Sequence, residues 1–294
     1  MNIYLDNVNL ESTSGPNHFG SKLAKYMTKN GNRFTSPDMA EVQLSFIQAN
    51  RLQPWLPMYQ RLDGIYFNSA QDYDLMNREI KETYKKAKGV IFQSEFNKNL
   101  TFKYFGEHDN YKIIRNGADL ELIDSVPPLE SLELDNYENI WCCASSWRPH
   151  KRLHENIRYF LEHSSHRDCM VVAGDVKNPT QHDRVFYTGN LDVQTLISLY
   201  KRSDYFVHLA YLDHCPNVVV DASASGCKVI CSSTGGTREI SGNSIIIEEQ
   251  EWDLSPTRLY EPPSMNFLNK SENNFISNND MNYVALEYQQ FLGE

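Results

Sequence analysis

The chain has 294 residues, with 28 Lys and Arg against 38 Asp and Glu, so its formal net charge is −10. That length exceeds one small module and suits two domains of roughly 100–200 residues each, or one large barrel. Hydrophobic residues at 40% and charged residues at 22% exclude disorder. The absence of any apolar run near ~18–20 residues excludes a membrane span, and the acidic balance disfavours bulk binding to nucleic acid or anionic lipid.

The opening MNIYLDNVNLES lacks a basic segment followed by an apolar one, so no secretory signal is expected there. Ile3, Tyr4 and Leu5 form a first short apolar run, followed by a Ser-Thr-Ser-Gly-Pro turn at 12–16. A helix is expected over 17–30, with Phe19, Leu23, Tyr26 and Met27 on one face and Gly31 as its stop. Extended runs follow at 42–47 and 61–66, then a polar helix over 71–87, a strand at 89–92, a short helix near 95–105 and a strand at 111–114. Residues 126–138, acidic and containing Pro-Pro just ahead of the core of the segment, read as a linker between an N-terminal domain at 1–125 and a second domain at 139–278. In the second domain, strands are expected at 140–144, 169–173, 185–187, 205–209, 228–231 and 244–247, with helices at 151–163, 192–201 and 216–225. This alternation is that of a Rossmann-like α/β domain with a mainly parallel sheet. The Asn- and Ser-rich stretch 264–282 reads as a surface tether, and 279–294 carries a final amphipathic helix expected to pack back on the N-terminal domain.

All six cysteines, at 142, 143, 169, 215, 227 and 231, lie in the second half, and no CxxC pair occurs. They read as reduced core thiols of a cytoplasmic protein, with Cys142 and Cys143 on opposite faces of a strand. The spacings His150/His154 and His163/His166 lack companion ligands, so no metal site is expected.

In open α/β sheets, ligands bind where loops and helix starts gather beyond the carboxyl ends of the strands. Three segments fall at such positions. After strand 140–144, Arg148 and Lys151 flank Pro149 at an expected helix start, where two cations and free N–H groups can hold a diphosphate. After strand 205–209, Asp213 sits in a loop, Pro216 opens a helix and Gly226 closes it. Asp221, farther along that helix, can accept hydrogen bonds from a sugar diol, and Asp213 can meet a second polar group. After strand 228–231, the Gly235-Gly236-Thr237 turn allows close approach of backbone N–H groups to a ligand. Each segment also has a plain structural explanation: a solvated basic turn, carboxylates on local backbone, and a simple loop.

The ordered set SSWRPHK (145–151), VVAGD (171–175), YTGNLD (187–192), LDHCPNVVVDASASG (212–226) and STGGTRE (233–239) resembles the C-terminal half of retaining GT-B glycosyltransferases of the large family 4, the group 1 glycosyltransferases. Asp213-x7-Asp221 falls where that family has Glu-x7-Glu. The N-terminal half adds SGPNHFGSKLAKYMTKNG (14–31), RLDG (61–64), VIFQSEF (90–96) and IIRNGAD (113–119), so the resemblance spans residues 1 to about 250. It implies two Rossmann-like domains facing across a cleft, and a hexosyl transfer from a nucleotide-diphosphate sugar to an acceptor hydroxyl. It further implies retention of anomeric configuration and no cofactor or metal.

On the same resemblance, Arg148 and Lys151 would bind the donor diphosphate, Asp213 would touch the donor sugar, and Asp221 would hold the ribose. Pro216, Asn217 and Val218 would lie beside the phosphates and sugar, with Gly235, Gly236 and Thr237 nearby and Gly15 approaching from the first domain. His18, Arg61 and Asp63 are the acceptor-side candidates, each with a structural explanation of equal weight: a helix-start histidine and an Arg–Asp brace. The departures are Asp in place of Glu at both ends of the acidic motif, Ser14-Gly15 where many relatives have Gly-Gly, and a compact N-terminal domain. The acceptor stays open among glycan, protein, small molecule and modified DNA base. The abundance of Asn, Lys and Tyr hints at an AT-rich, viral source, for which the compartment would be the host cytoplasm. A sugar-nucleotide epimerase or hydrolase on the same fold, or a catalytically silent sugar-nucleotide or glycan-binding protein, are the alternatives.

Overall fold

The computed structural model describes residues 1–12, 14–274 and 279–294. The first sheet collects β1 (Asn2–Asp6), β2 (Arg33–Phe34), β3 (Val42–Phe46), β4 (Met58–Leu62), β5 (Gly89–Phe92) and β6 (Tyr111–Ile113), in the order β2-β1-β3-β4-β5-β6. All its pairings are parallel. Three helices connect its strands: α1 (Gly15–Lys29), α2 (Tyr73–Lys86) and α3 (Glu95–Phe105). The β3–β4 connection contains no helix, which is one physical source of this unit's small size. A short helix, α4 (Leu120–Ser125), leads out of the unit.

The second sheet comprises β7 (Ile140–Ala144), β8 (Cys169–Ala173), β9 (Val185–Gly189), β10 (Tyr205–His208), β11 (Lys228–Ser232), β12 (Asn243–Ile247) and β13 (Lys270–Asn274). Their order is β13-β12-β11-β10-β7-β8-β9, parallel except for the antiparallel β12–β13 pair. Helices α5 (Leu153–His163), α6 (Val193–Arg202) and α7 (Asn217–Ala224) cover it. The final helix, α8 (Met281–Leu292), lies on the first sheet, where Val284, Ala285, Tyr288 and Phe291 join Phe19, Leu23 and Met27 of α1 in one core. No helix among the described residues is long and apolar enough to cross a membrane.

Both sheets have a point where the chain reverses its direction of travel across the strands. In the first it lies between β1 and β3; in the second, between β7 and β10. Open α/β sheets bind ligands in the crevice formed at such points. The loops leaving β7 and β10 carry Lys151 and Asp213, so the topology brings two distant segments to one crevice.

The structure alters several sequence expectations. The extended run at 61–66 ends as a strand at Leu62, and β2 is a two-residue edge strand with too little apolar pattern to read. The acidic segment 126–138 is packed rather than free: Val126 and Leu134 are buried in the core beside α6, and Leu129 N–H donates to Ser198 O at 2.9 Å. Val126, Leu129, Leu134 and Tyr137, all packed on that core, outweigh its polar composition. The expected surface tether at 264–282 contains β13, preceded by buried Met265 and Phe267. Pairing with the Ile-rich β12 imposes extension on a segment of low strand propensity; residues 275–278 of that stretch lie outside the described residues. All six cysteines are free and buried, with Cys142 and Cys143 in the cores on opposite faces of β7.

Candidate functional site

The β7 exit differs from the expected helix start. Pro149 opens a three-residue 3-10 turn, Pro149–Lys151, and α5 begins only at Leu153. Arg152 between them adopts left-handed backbone at φ 51°, fixed by a buried bidentate pair with Glu249 at 2.8 and 3.0 Å. Arg148 and Lys151 therefore do not share the first turn of a long helix. Arg148 stands exposed, without an ion pair among the described residues. Lys151 turns inward and donates to Asp213 Oδ2.

Asp213 is spent on protein partners. Its Oδ2 also accepts from His208 Nε2 at 2.9 Å, and its Oδ1 accepts from His214 N–H at 3.0 Å. Burial pushes its carboxyl up, but the Lys151 charge and the His208 bond outweigh that and hold it well below the usual range. The surrounding imidazoles stay neutral: burial, assisted by Lys151, lowers His150 to about 4, and burial lowers His208 and His214.

The glycine pair packs loop on loop. Gly235 has φ 87°, and a Cβ there would lie 2.5 Å from Asp213 O. A Cβ on Gly236 would lie 2.0 Å from His214 O, while Gly236 N–H donates to Asp213 O at 2.7 Å. Thr237 is buried at the start of a 3-10 turn. The absence of side chains at 235 and 236 is what lets the β11 exit brace the Asp213 loop.

A second cluster forms where the two units meet. Asn217 Nδ2, in the first turn of α7, donates to Gly15 O, in the first turn of α1, at 2.9 Å. Neither helix start is capped by a side chain, Ser14 and Pro216 making no cap hydrogen bond. By contrast, α2, α3, α4, α6 and α8 are capped by Asp72, Ser94, Asp119, Asp192 and Asp280. Two helix starts carrying positive partial charge thus face one place, with Val218 half-buried behind them. Farther along the same seam, Asp221 Oδ1 accepts from Lys22 Nζ at 3.1 Å, and His18 Nε2 lies 4.0 Å from Asp221 Oδ2.

Of the acceptor-side candidates, His18 lies on this seam. Arg61 is 1% exposed and acts as a brace. Its Nε donates to Tyr288 OH at 3.0 Å and its NH2 to Asn116 Oδ1 at 2.9 Å, its guanidinium lies over Phe19, and it pairs with Asp63. Arg61 therefore reaches no surface from which to meet an acceptor. Asp63, at the β4 exit, also accepts from Gln93 Nε2 and remains mostly covered. Among the described residues, no group of three or more His, Cys, Asp or Glu is arranged to hold a metal ion.

Several residues at this site were not singled out from sequence. His208 supports Asp213, Lys22 holds Asp221, and Asn116 Nδ2 donates to Cys215 O at 2.9 Å. Glu239 accepts from the N–H groups of Glu95 and Phe96, at 2.8 and 3.0 Å, and so joins the second unit to the start of α3. The spacing of Gly15, His18 and Lys22 on one helix face was the signal for Lys22; Asn116 and Glu239 pair across sequence separations that no local pattern reports, and the five-residue His208–Asp213 pair is made by the turn after β10.

Residues 130–254 match the sequence model of the family described as "Glycosyl transferases group 1". No curated protein matches the chain by sequence. Among solved structures, the chain is similar to sucrose-phosphate synthase from Thermosynechococcus elongatus, at 13% identity and TM-score 0.70, over 99% of this chain and 98% of that one. It is similar to Anabaena HepE in complex with UDP and glucose, at 13% identity and TM-score 0.67, over 100% and 99% of the two chains. It is also similar to AviGT4, a glycosyltransferase involved in avilamycin A biosynthesis, at 12% identity and TM-score 0.64, over 100% and 97%. At such identities the likeness is one of fold, and the fold is the two-sheet α/β architecture of GT-B glycosyltransferase structures.

Proposed function

We propose that this chain moves a hexosyl unit from a nucleotide-diphosphate sugar to an acceptor hydroxyl, with retention at the anomeric carbon and without a metal ion. The observation that carries this reading is the meeting of two uncapped helix starts, α1 and α7, through Asn217 and Gly15. Backbone N–H groups at helix starts bind phosphate, and two of them from opposite units can grip a diphosphate between them. Lys151, anchored by its ion pair with Asp213, supplies a cation at the crevice between β7 and β10. Asp221, on α7 two turns at most from that helix start, is assigned to the ribose, and exposed Arg148 is assigned as a further cation for the diphosphate. The match of residues 130–254 to group 1 glycosyl transferases and the UDP in the HepE structure support a nucleotide-sugar donor.

In the reaction, the bond from C1 to the diphosphate oxygen breaks and a bond from C1 to the acceptor oxygen forms on the same face. The acceptor proton passes to the departing phosphate oxygen, so no separate base is required. Lys151 and the helix starts stabilise the charge that grows on the diphosphate, the term that usually dominates such catalysis. The pairing of Asp213 with Lys151 gives that carboxylate the role of anchoring the cation beside its assigned contact with the sugar. The six free, buried cysteines suit a reducing cytoplasm.

The test is incubation with UDP-, GDP- and ADP-sugars in EDTA, with and without an acceptor panel of glycans, small molecules, peptides and hydroxymethylated DNA. Release of nucleoside diphosphate together with an α-linked product from an α-configured donor is the expected result. Turnover abolished by EDTA contradicts metal independence, and an inverted product contradicts retention. Donor binding without turnover across the panel favours a silent binding protein, and release without transfer favours a hydrolase.

A further inference from the structure

The carboxylate of Asp221 is already half occupied, and its partner comes from the other unit. Lys22 is 6% exposed and lies on α1, with His18 one turn earlier and Gly15 at the helix start. These residues share one face by their spacing. Opposite them, Asn217 and Asp221 share the facing side of α7, and the two stripes meet through Asn217 to Gly15 and Lys22 to Asp221. The Lys22 ammonium donates to Gly117 O at 2.8 Å and to Asp221 Oδ1 at 3.1 Å. Among the described residues, Asp221 Oδ2 accepts no hydrogen bond, and it lies 4.0 Å from His18 Nε2.

We propose that Lys22 is a positioning residue for the ribose of a nucleotide donor, fixing one oxygen of Asp221 so that the other, together with His18, meets a ribose hydroxyl. This rests on the donor reading above and adds to it that the ribose is recognised from both units. A hydroxyl at this place donates to Asp221 Oδ2 and accepts from the His18 ring N–H, a pairing that an unsubstituted carbon cannot make. The shorter reach of Asp is offset because Lys22 draws the two helices together and immobilises the carboxylate before the ligand arrives. Such preorganisation removes ordering cost from binding. A buried charge is costly unless paired, so the Lys22–Asp221 contact also holds α1 and α7 against each other.

The experiment measures binding of UDP, GDP and ADP, and of their 2′-deoxy and 3′-deoxy counterparts, to wild type, Lys22→Met and Lys22→Arg, with thermal melting of each protein. Wild type is expected to prefer at least one ribonucleotide over a deoxy counterpart by about tenfold or more, the range for a hydrogen bond to a charged group. Lys22→Met is expected to lose most of that preference and Lys22→Arg to keep part of it. A merely structural role would lower melting temperature without changing the ribose-to-deoxyribose ratio, and an unchanged ratio in folded Lys22→Met overturns the proposal. Where Lys22→Met does not fold, His18→Ala is expected to lose the same preference, and an unchanged ratio there overturns it equally. Wild type that binds a diphosphate with no preference for the hydroxyl overturns this proposal alone. Wild type that binds no nucleoside diphosphate overturns the donor reading and this proposal with it.

Discussion

Lys151 and Asp213, 62 residues apart in sequence, form an ion pair at the crevice between β7 and β10. Because His208 and the His214 N–H complete the coordination of the carboxylate, Asp213 has the geometry of an anchor for the cation. Asp213→Asn and Lys151→Met are therefore each expected to lower donor turnover by about 100-fold, the scale of a lost charge contact in a transition state. The double variant is expected to be little worse than either single one, since both remove one unit. Steady-state kinetics on the four proteins checks this; fully multiplicative losses would show independent roles.

Acid should weaken the fold through the histidines around that pair. Burial, with help from Lys151, puts His150 at about 4, and burial puts His214 at about 4, against 6.5 for the unfolded chain. The unfolded state then takes up protons first as pH falls, so stability present above pH 6.5 is lost progressively between 6.5 and 4. At pH 5.5 the loss is about 1 kcal/mol per histidine. Asp213 has a depressed folded value, so its contribution persists through this window and fades only below the ordinary carboxylate range. Melting temperature is expected to fall between pH 7 and 5, and less so in His150→Gln; a flat profile contradicts the neutral-histidine assignment.

Glu239 reaches from the second unit to cap α3 of the first, and it also pairs with Arg115 at 3.0 Å. Glu239→Ala is expected to cost about 1–2 kcal/mol, the range for a lost cap with a charged acceptor. Hydrogen exchange should rise at the amides of Glu95 and Phe96, while the interior of α3 stays protected. Unchanged exchange at those two amides would contradict the cap.

Gly236→Ala places a methyl where His214 O and Ser94 Oγ already stand, at 2.0 and 2.6 Å. Relief requires the Asp213 loop to move, so the substitution is expected to destabilise the protein by about 2 kcal/mol or more and to lower turnover with it. Chemical denaturation and donor kinetics on the same preparation check both. A stable, active variant would show that the close packing of these loops is dispensable.

The sequence made legible whatever repeats locally. Alternating apolar runs located the strands on either side of Lys151 and Asp213, and Pro216 and Gly226 bracketed α7. Interactions decided by packing were not legible. Arg61 read equally as an acceptor-side cation and as half of an Arg–Asp brace; the brace with Asp63 is present, and what decides between the two is its enclosure by Tyr288, contributed by the far end of the chain, and Phe19. His208 lies in an apolar strand, where nothing local shows that the turn after β10 returns Asp213 to its ring. β13 escaped notice because its strand character comes from the edge of β12 and not from its own Lys-Ser-Glu-Asn-Asn sequence.

The central claim is that the starts of α1 and α7 together hold the diphosphate of a nucleotide sugar. Hydrogen exchange in the presence and absence of saturating nucleoside diphosphate tests it most directly, with the nucleotide chosen by prior binding to wild type. Protection is expected at the amides of Gly15 and 17–19 and of 217–220 in the same titration, and Asp221→Asn is expected to weaken binding without moving the footprint. Protection confined to one of the two helices, or lying away from both, would contradict the claim.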